Sequence, residues 1–370
     1  MMDAMPFPKK AAVCSPLSLI AIAKHSNCED TTELINKVEL TKEDINTVSE
    51  LTVKQSSSKE WLEHRQGRIT ASQIHNVFTR VASLKRDPTL NSSSLIKAVM
   101  GYKNVPKTVA MRYGISTEPH AKQAYRKTMA RQHKKFQGQD SGLIISYKKQ
   151  FLGASPDLVI SCLCHGRGVC EIKCPYSLKS ESPSSDNYKH LIIVKNGQCQ
   201  LSRSSSYYFQ IQFQMGILEV CYGDFFVYTP KGNHLERIQF DSVLYKEMVE
   251  RAEYFWFKCI GPELISGSME GSEVADLRDH NYAKHSTDML PLNPPQNKSA
   301  PPPMRAKQKL LFKSPYPAIY ICAACDKNVT GTCSFVKCSV CSMRYHNACV
   351  NIDSDACHLE WRCFLCTGIV

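Results

Sequence analysis

Cysteine pairs recur near the C-terminus at a spacing that leaves the chain little freedom. Cys322-x2-Cys325 is followed by twelve residues, Cys338-x2-Cys341, four residues, His346-x2-Cys349, thirteen residues and Cys363-x2-Cys366. A tetrahedral Zn²⁺ takes four thiolate or imidazole donors, so these eight ligands make two sites. A segment of roughly 50 residues buries too little apolar surface to fold alone, and metal binding makes up the difference. Cys333 and Cys357 fall outside the pattern and are expected to be free thiols.

The other features place this zinc module on a larger protein. At 370 residues the chain exceeds what one core usually organises. Its 43% hydrophobic content is enough for most of it to bury a core. The early apolar run over residues 17–23 is short and already broken by Ser18, which argues against a secretory signal. With 18 cysteines in such a chain, thiols and zinc ligands in a reducing, intracellular setting are the expectation. A net charge of +12, from 46 Lys+Arg against 34 Asp+Glu, favours polyanions by counterion release, as on DNA phosphates.

Composition divides the chain into four stretches. Residues 1–55 have helical periodicity over 31–38 and a cap at Thr41 before KEDINTVSEL, with no visible chemistry. Residues 56–265 alternate helical and strand patterns and read as one α/β domain. Residues 266–317 form a Pro-rich basic linker, and 318–370 hold the zinc ligands. Within the α/β domain GLIIS, FLGASPDLVI and GVCEIKC are expected to form an antiparallel meander. A Gln-rich helix, YYFQIQFQMGILEV, should follow, then a strand, DFFVYTP, and a helix over 242–259. Residues 176–206 read as a polar loop around the insert HLIIV.

The chemistry concentrates at Pro156-Asp157 and Glu171-Ile172-Lys173. Adjacent strands can set Asp157 beside Glu171, and two converging carboxylates bind a hard divalent cation. Lys173, two residues beyond Glu171, shares its face of the strand. Phosphodiester hydrolysis uses this set, in which the metal acidifies water and polarises phosphate while lysine stabilises developing charge. Taken alone, the pattern also suits a turn at Asp157 followed by a solvated strand face.

Three further motifs lie in matching order. Trp61, Arg65 and Ile69-Thr70-Ala71-Ser72 come first, then RYGISTEPHAKQAY with Glu118, and, after the carboxylate strands, YYFQIQFQM with Gln210. Together they resemble the PD-(D/E)xK nuclease superfamily, in its lambda-exonuclease and YqaJ viral-recombinase branch, over about half of the chain. The resemblance implies a restriction-endonuclease-like mixed sheet flanked by helices. It implies Mg²⁺ or Mn²⁺ on Asp157, Glu171 and the Ile172 carbonyl, with Glu118 near a second ion and Gln210 as the active-site glutamine. It also implies that Arg65, Ser72 and Ser155 bind a DNA 5′-phosphate, and that the enzyme digests double-stranded DNA from an end.

The C-terminal ligand order, with Trp361 two residues before Cys363, resembles the PHD finger. That resemblance implies cross-braced pairing, with Cys322, Cys325, His346 and Cys349 on one Zn²⁺ and Cys338, Cys341, Cys363 and Cys366 on the other. It implies a histone tail or another protein as partner, and a nuclear location. The competing reading is a non-catalytic module that uses a nuclease-like fold and the finger to bind DNA or chromatin. A further group, Cys162, Cys164, His165, Cys170 and Cys174, fits no zinc spacing and is expected to be ordinary buried thiols.

Overall fold

The computed structural model describes residues 15–102, 106–194 and 197–270, and in the C-terminal part 320–321, 328–329, 335–337, 344–350 and 352. Two units separate at Gly271. The first contains helices α1 (Leu19–Ser26), α2 (Thr31–Asn36), α3 (Lys42–Leu51), α4 (Lys59–Arg65), α5 (Ile74–Leu84), α6 (Ser93–Met100), α7 (Val109–Gln132), α8 (Ser206–Leu218), α9 (Ser242–Phe255) and α10 (Gly261–Ser266). Its strands are β1 (Ile69–Thr70), β2 (Gln137–Asp140), β3 (Ile144–Ile145), β4 (Leu152–Ala154), β5 (Leu158–Cys162), β6 (Gly166–Lys173), β7 (Leu191–Ile193), β8 (Cys199–Leu201), β9 (Tyr222–Thr229) and β10 (Gly232–Gln239). None of the described helices is long and apolar enough to cross a membrane.

Five strands form the main sheet in the order β10-β9-β6-β5-β2, antiparallel except for the central β6–β9 pair. That parallel pair needs a crossover, supplied by the β7–β8 hairpin and α8. Alternation along β6 sorts its side chains by face. Cys170 and Ile172 pack with Ala121, Tyr125 and Met129 of α7, whereas Val169 joins the core around α8. Helix α8 is buried on all sides because it touches strands on one side and α5 and α9 on the other. It stops at Glu219, whose left-handed backbone cannot continue a helix.

The meander expectation needs correction. FLGASPDLVI is two strands in two sheets: β4 pairs with β1 and β3, and β5 pairs with β6 and β2. Pro156 lacks the N–H that an unbroken ladder would require at the crossing. The third antiparallel partner is β2 rather than GLIIS, and the stretch expected to be a loop contains the β7–β8 hairpin.

Helices α1 to α3 belong to this unit. Thr41 and Asp44 form a reciprocal capping box on α3. Leu19, Leu34 and Val38 enter the main core, and Leu40, Ile45 and Val48 pack with Leu143 and Ile145.

The second unit shows two antiparallel pairs, Tyr320–Ile321 with Asn328–Val329 and Phe335–Lys337 with Arg344–His346, then a 3-10 turn over Asn347–Cys349. Tyr345 is fully buried. Of the eight expected zinc ligands, His346 and Cys349 fall on described residues. Cys322, Cys325, Cys338, Cys341, Cys363 and Cys366 lie outside them, as does most of the expected linker.

Candidate active site

Two structural devices converge on one cleft. The first is the antiparallel β5–β6 register. Asp157 lies one position beyond the Leu158–Cys170 pair and therefore opposite Glu171, and its Oδ2 accepts a hydrogen bond from the Ile172 N–H at 2.6 Å. The second is the parallel β1–β4 pair, with Thr70 beside Gly153. Ser72 and Ser155 each lie two residues beyond that pair, so they emerge at the same end.

Glu171 is only 2% exposed, and three side chains hold its carboxylate. Gln210 Nε2 donates to Oε1 and Gln214 Nε2 to Oε2, each at 2.6 Å, and the Lys173 ammonium pairs with Oε1. Lys173 also lies 3.5 Å from Gln210 Oε1, and its Nζ stands 4.6 Å from the centre of the Tyr207 ring. Burial disfavours this ammonium, but Glu171 and Asp157 outweigh burial and hold its pKa above the usual lysine range. Asp157 is pushed well above the usual carboxylate range, first by burial and then by repulsion from Glu171 and Glu118. Glu118 lies midway along α7, where it pairs with Lys122 at 2.8 Å. It is therefore not an N-terminal residue stabilised by the helix dipole.

At the other end, α4 puts Trp61 and Arg65 one turn apart on one face. The Arg65 guanidinium stacks 4.0 Å from the centre of the Trp61 ring and donates to Ser72 Oγ at 3.1 Å, while Trp61 Nε1 donates to Ser155 Oγ at 3.0 Å. Burial lowers the Arg65 pKa to about 10, which leaves it charged at neutral pH. Ser72 does not cap α5, because Gln73 occupies the N-cap position. Its hydroxyl is thus available to Arg65.

Trp61, Arg65, Ser72, Ser155, Asp157, Glu171 and Gln210 line the resulting cleft of about 140 Å³, together with Gln55 and Ala71. Sequence reasoning missed Gln55 and Gln214. Gln55 reaches in from a short 3-10 turn and donates to the carbonyls of Ser141 and Pro156, and no local pattern announces it. Gln214 had a legible signal, its i+4 spacing from Gln210 on one helix face. The Gln-x-Gln neighbour Gln212 points elsewhere, to the Gln239 carbonyl and the Asp241 N–H.

The donor set suits a hard divalent cation. A carboxylate offers about four lone-pair directions. Glu171 uses three of its own on protein donors, whereas the one partner found for Asp157 is the Ile172 N–H, which leaves the other Asp157 lone pairs to a cation beside Glu171.

A mixed α/β fold with a cleft that holds two carboxylates, Lys173 beside them, at a split between sheets is thus defined. Residues 60–220 match the model of the YqaJ-like viral recombinase domain, the same family that the sequence motifs resemble. No curated protein matches the chain. Among solved structures, an alkaline exonuclease (LHK-Exo) from Laribacter hongkongensis is 25% identical, with 56% of this chain and 94% of that chain covered and a TM-score of 0.42. A phage related exonuclease from Haemophilus somnus 129PT is 13% identical over 54% of this chain and 96% of that one, with a TM-score of 0.39. The Shutoff and Exonuclease Protein of Kaposi's sarcoma associated herpesvirus is 12% identical over 66% and 80%, with a TM-score of 0.41.

Proposed function

We propose that the first unit is a metal-dependent DNA exonuclease that hydrolyses phosphodiester bonds from the 5′ ends of double-stranded DNA, in recombination, repair or mobile-element biology. The observation that carries this reading is the single cleft joining Asp157 and Glu171, with Lys173 beside them, to Arg65, Ser72 and Ser155. Mg²⁺ or Mn²⁺ would be held by Asp157, Glu171 and the Ile172 carbonyl, with Glu118 close to a second ion. When bound, the ion polarises the scissile phosphate and acidifies water. The remaining work falls to the protein's own residues. Lys173 keeps its proton and stabilises charge that develops on phosphate. Gln210 and Gln214 prevent the Glu171 carboxylate from rotating, and Arg65 with the two serine hydroxyls suits a terminal phosphate dianion.

On the same reading the C-terminal segment is a PHD-type finger with two Zn²⁺. It would direct the enzyme to a histone tail or another protein in the nucleus. The ligand spacing supports this part.

The test is degradation of linear double-stranded DNA in Mg²⁺, with and without a 5′-phosphate. Asp157→Ala and Lys173→Ala should each lose at least about 10²-fold in rate, and wild type should prefer the phosphorylated end. No cleavage by folded, zinc-loaded wild type with any divalent ion would leave a DNA-binding module. Cutting of closed circular DNA would make it an endonuclease.

A further inference from the structure

At the far end of the β5–β6 hairpin from the carboxylates, four side chains meet. His133 follows the last residue of α7, Cys162 ends β5, and Cys164 and His165 lie in the hairpin turn. One ligand atom from each lies within 4.8 Å of the other three. Cys162 Sγ is 3.5 Å from His165 Nδ1, and the two imidazoles meet edge to face with centroids 4.9 Å apart. In a tetrahedral zinc site with two sulfurs and two nitrogens, neighbouring donors are about 3.3–3.8 Å apart. The four side chains therefore need only a small contraction.

Two independent features favour a ligand here. His133 Nδ1 is buried without a hydrogen-bond partner, which is costly for a ring nitrogen unless something else satisfies it. The backbone around the group is also clasped, because Leu163 N donates to the Lys134 carbonyl at 3.0 Å and Lys134 N donates to Cys164 Sγ at 3.4 Å. An amide N–H directed at sulfur is the outer-shell contact that supports a metal-bound thiolate.

We propose that His133, Cys162, Cys164 and His165 bind one Zn²⁺ as a closed structural site. Two thiolates and two imidazoles select a borderline-soft tetrahedral ion, and four protein ligands leave no position for substrate. The site ties the C-terminal end of α7, the helix that carries Glu118, to the hairpin whose other end carries Asp157, Glu171 and Lys173. Five ladder steps, about 17 Å, separate Cys162 from the carboxylates, so the site acts by fixing elements. The thiol expectation is revised accordingly: Cys170 faces α7 in the core and Cys174 lies beyond β6, and neither belongs to the group. Sequence spacing concealed the site because its fourth ligand comes from a helix end 29 residues before Cys162.

Zinc per chain measured on the full-length protein tests the proposal. Cys164→Ser and His165→Ala replace exposed residues, and each should bind one equivalent less than wild type, whatever the finger holds. A second measurement needs no variant: Cys164 in zinc-loaded wild type should resist alkylation by iodoacetamide and become reactive when zinc is removed. Equal zinc in wild type and both variants, equal alkylation of Cys164 in both states, or a Cys162–Cys164 disulfide in protein prepared under reducing conditions would overturn it.

Discussion

Asp157 carries the residue-scale consequence. Its raised pKa, caused by burial and then by Glu171 and Glu118, means that the folded state binds this proton more tightly than the unfolded chain does. Without metal, folding stability contributed by this group is therefore highest below the unfolded value near 4 and falls as pH rises toward the folded value. On the proposed reading, Mg²⁺ would oppose that loss. Its stabilisation of wild type should be larger at pH 8 than at pH 5, and Asp157→Asn should abolish most of it along with cleavage. The metal-free variant should also lose less Tm than wild type over the same range. Thermal unfolding across pH, with and without Mg²⁺, checks this, and a Mg²⁺ shift that is the same in the variant would place the ion elsewhere.

At the scale of elements, what could be read beforehand was what local periodicity carries. Glu171 and Lys173 share a face because strands alternate, and Gln210 was placed by its motif. The break between β4 and β5 was missed because both halves are mostly apolar and read as one run. Only the Pro156 ladder gap, a weak cue inside a hydrophobic run, marked the change of sheet. Gln55 and His133 were missed because contacts set by tertiary approach leave no periodic trace. One such approach joins α3 to β3. A Cβ on Gly142 would lie 2.0 Å from the Ser49 carbonyl oxygen and 2.5 Å from Thr52 Oγ1, and that hydroxyl accepts from the Leu143 N–H at 2.7 Å. Gly142→Ala should therefore destabilise the protein by about 1–3 kcal/mol through overpacking, measured by urea unfolding. An unchanged midpoint would show that α3 yields freely.

For the whole molecule, residues 15–55 are structural as well as the source of Gln55. Leu19, Leu34, Val38, Leu40, Ile45 and Val48 are all buried, and Gln150 bonds the Leu40 backbone in both directions at 2.7 and 2.8 Å. At about 1.5–3 kcal/mol per buried side chain, their loss is comparable with a typical net stability of about 5–15 kcal/mol. A chain starting at residue 56 should fail to unfold cooperatively on heating, and a sharp transition at the wild-type Tm would contradict this. The passage Ser155-Pro156-Asp157 has a different consequence at this scale. It leaves the small sheet with the Ser155 hydroxyl and enters the large sheet with the Asp157 carboxylate. On the proposed reading, the place where a DNA end is gripped and the place where it is cut are spaced by covalent bonds within a tripeptide. On that reading, breathing of the two sheets would leave the distance between grip and cut unchanged, because it is set by bonds rather than by packing.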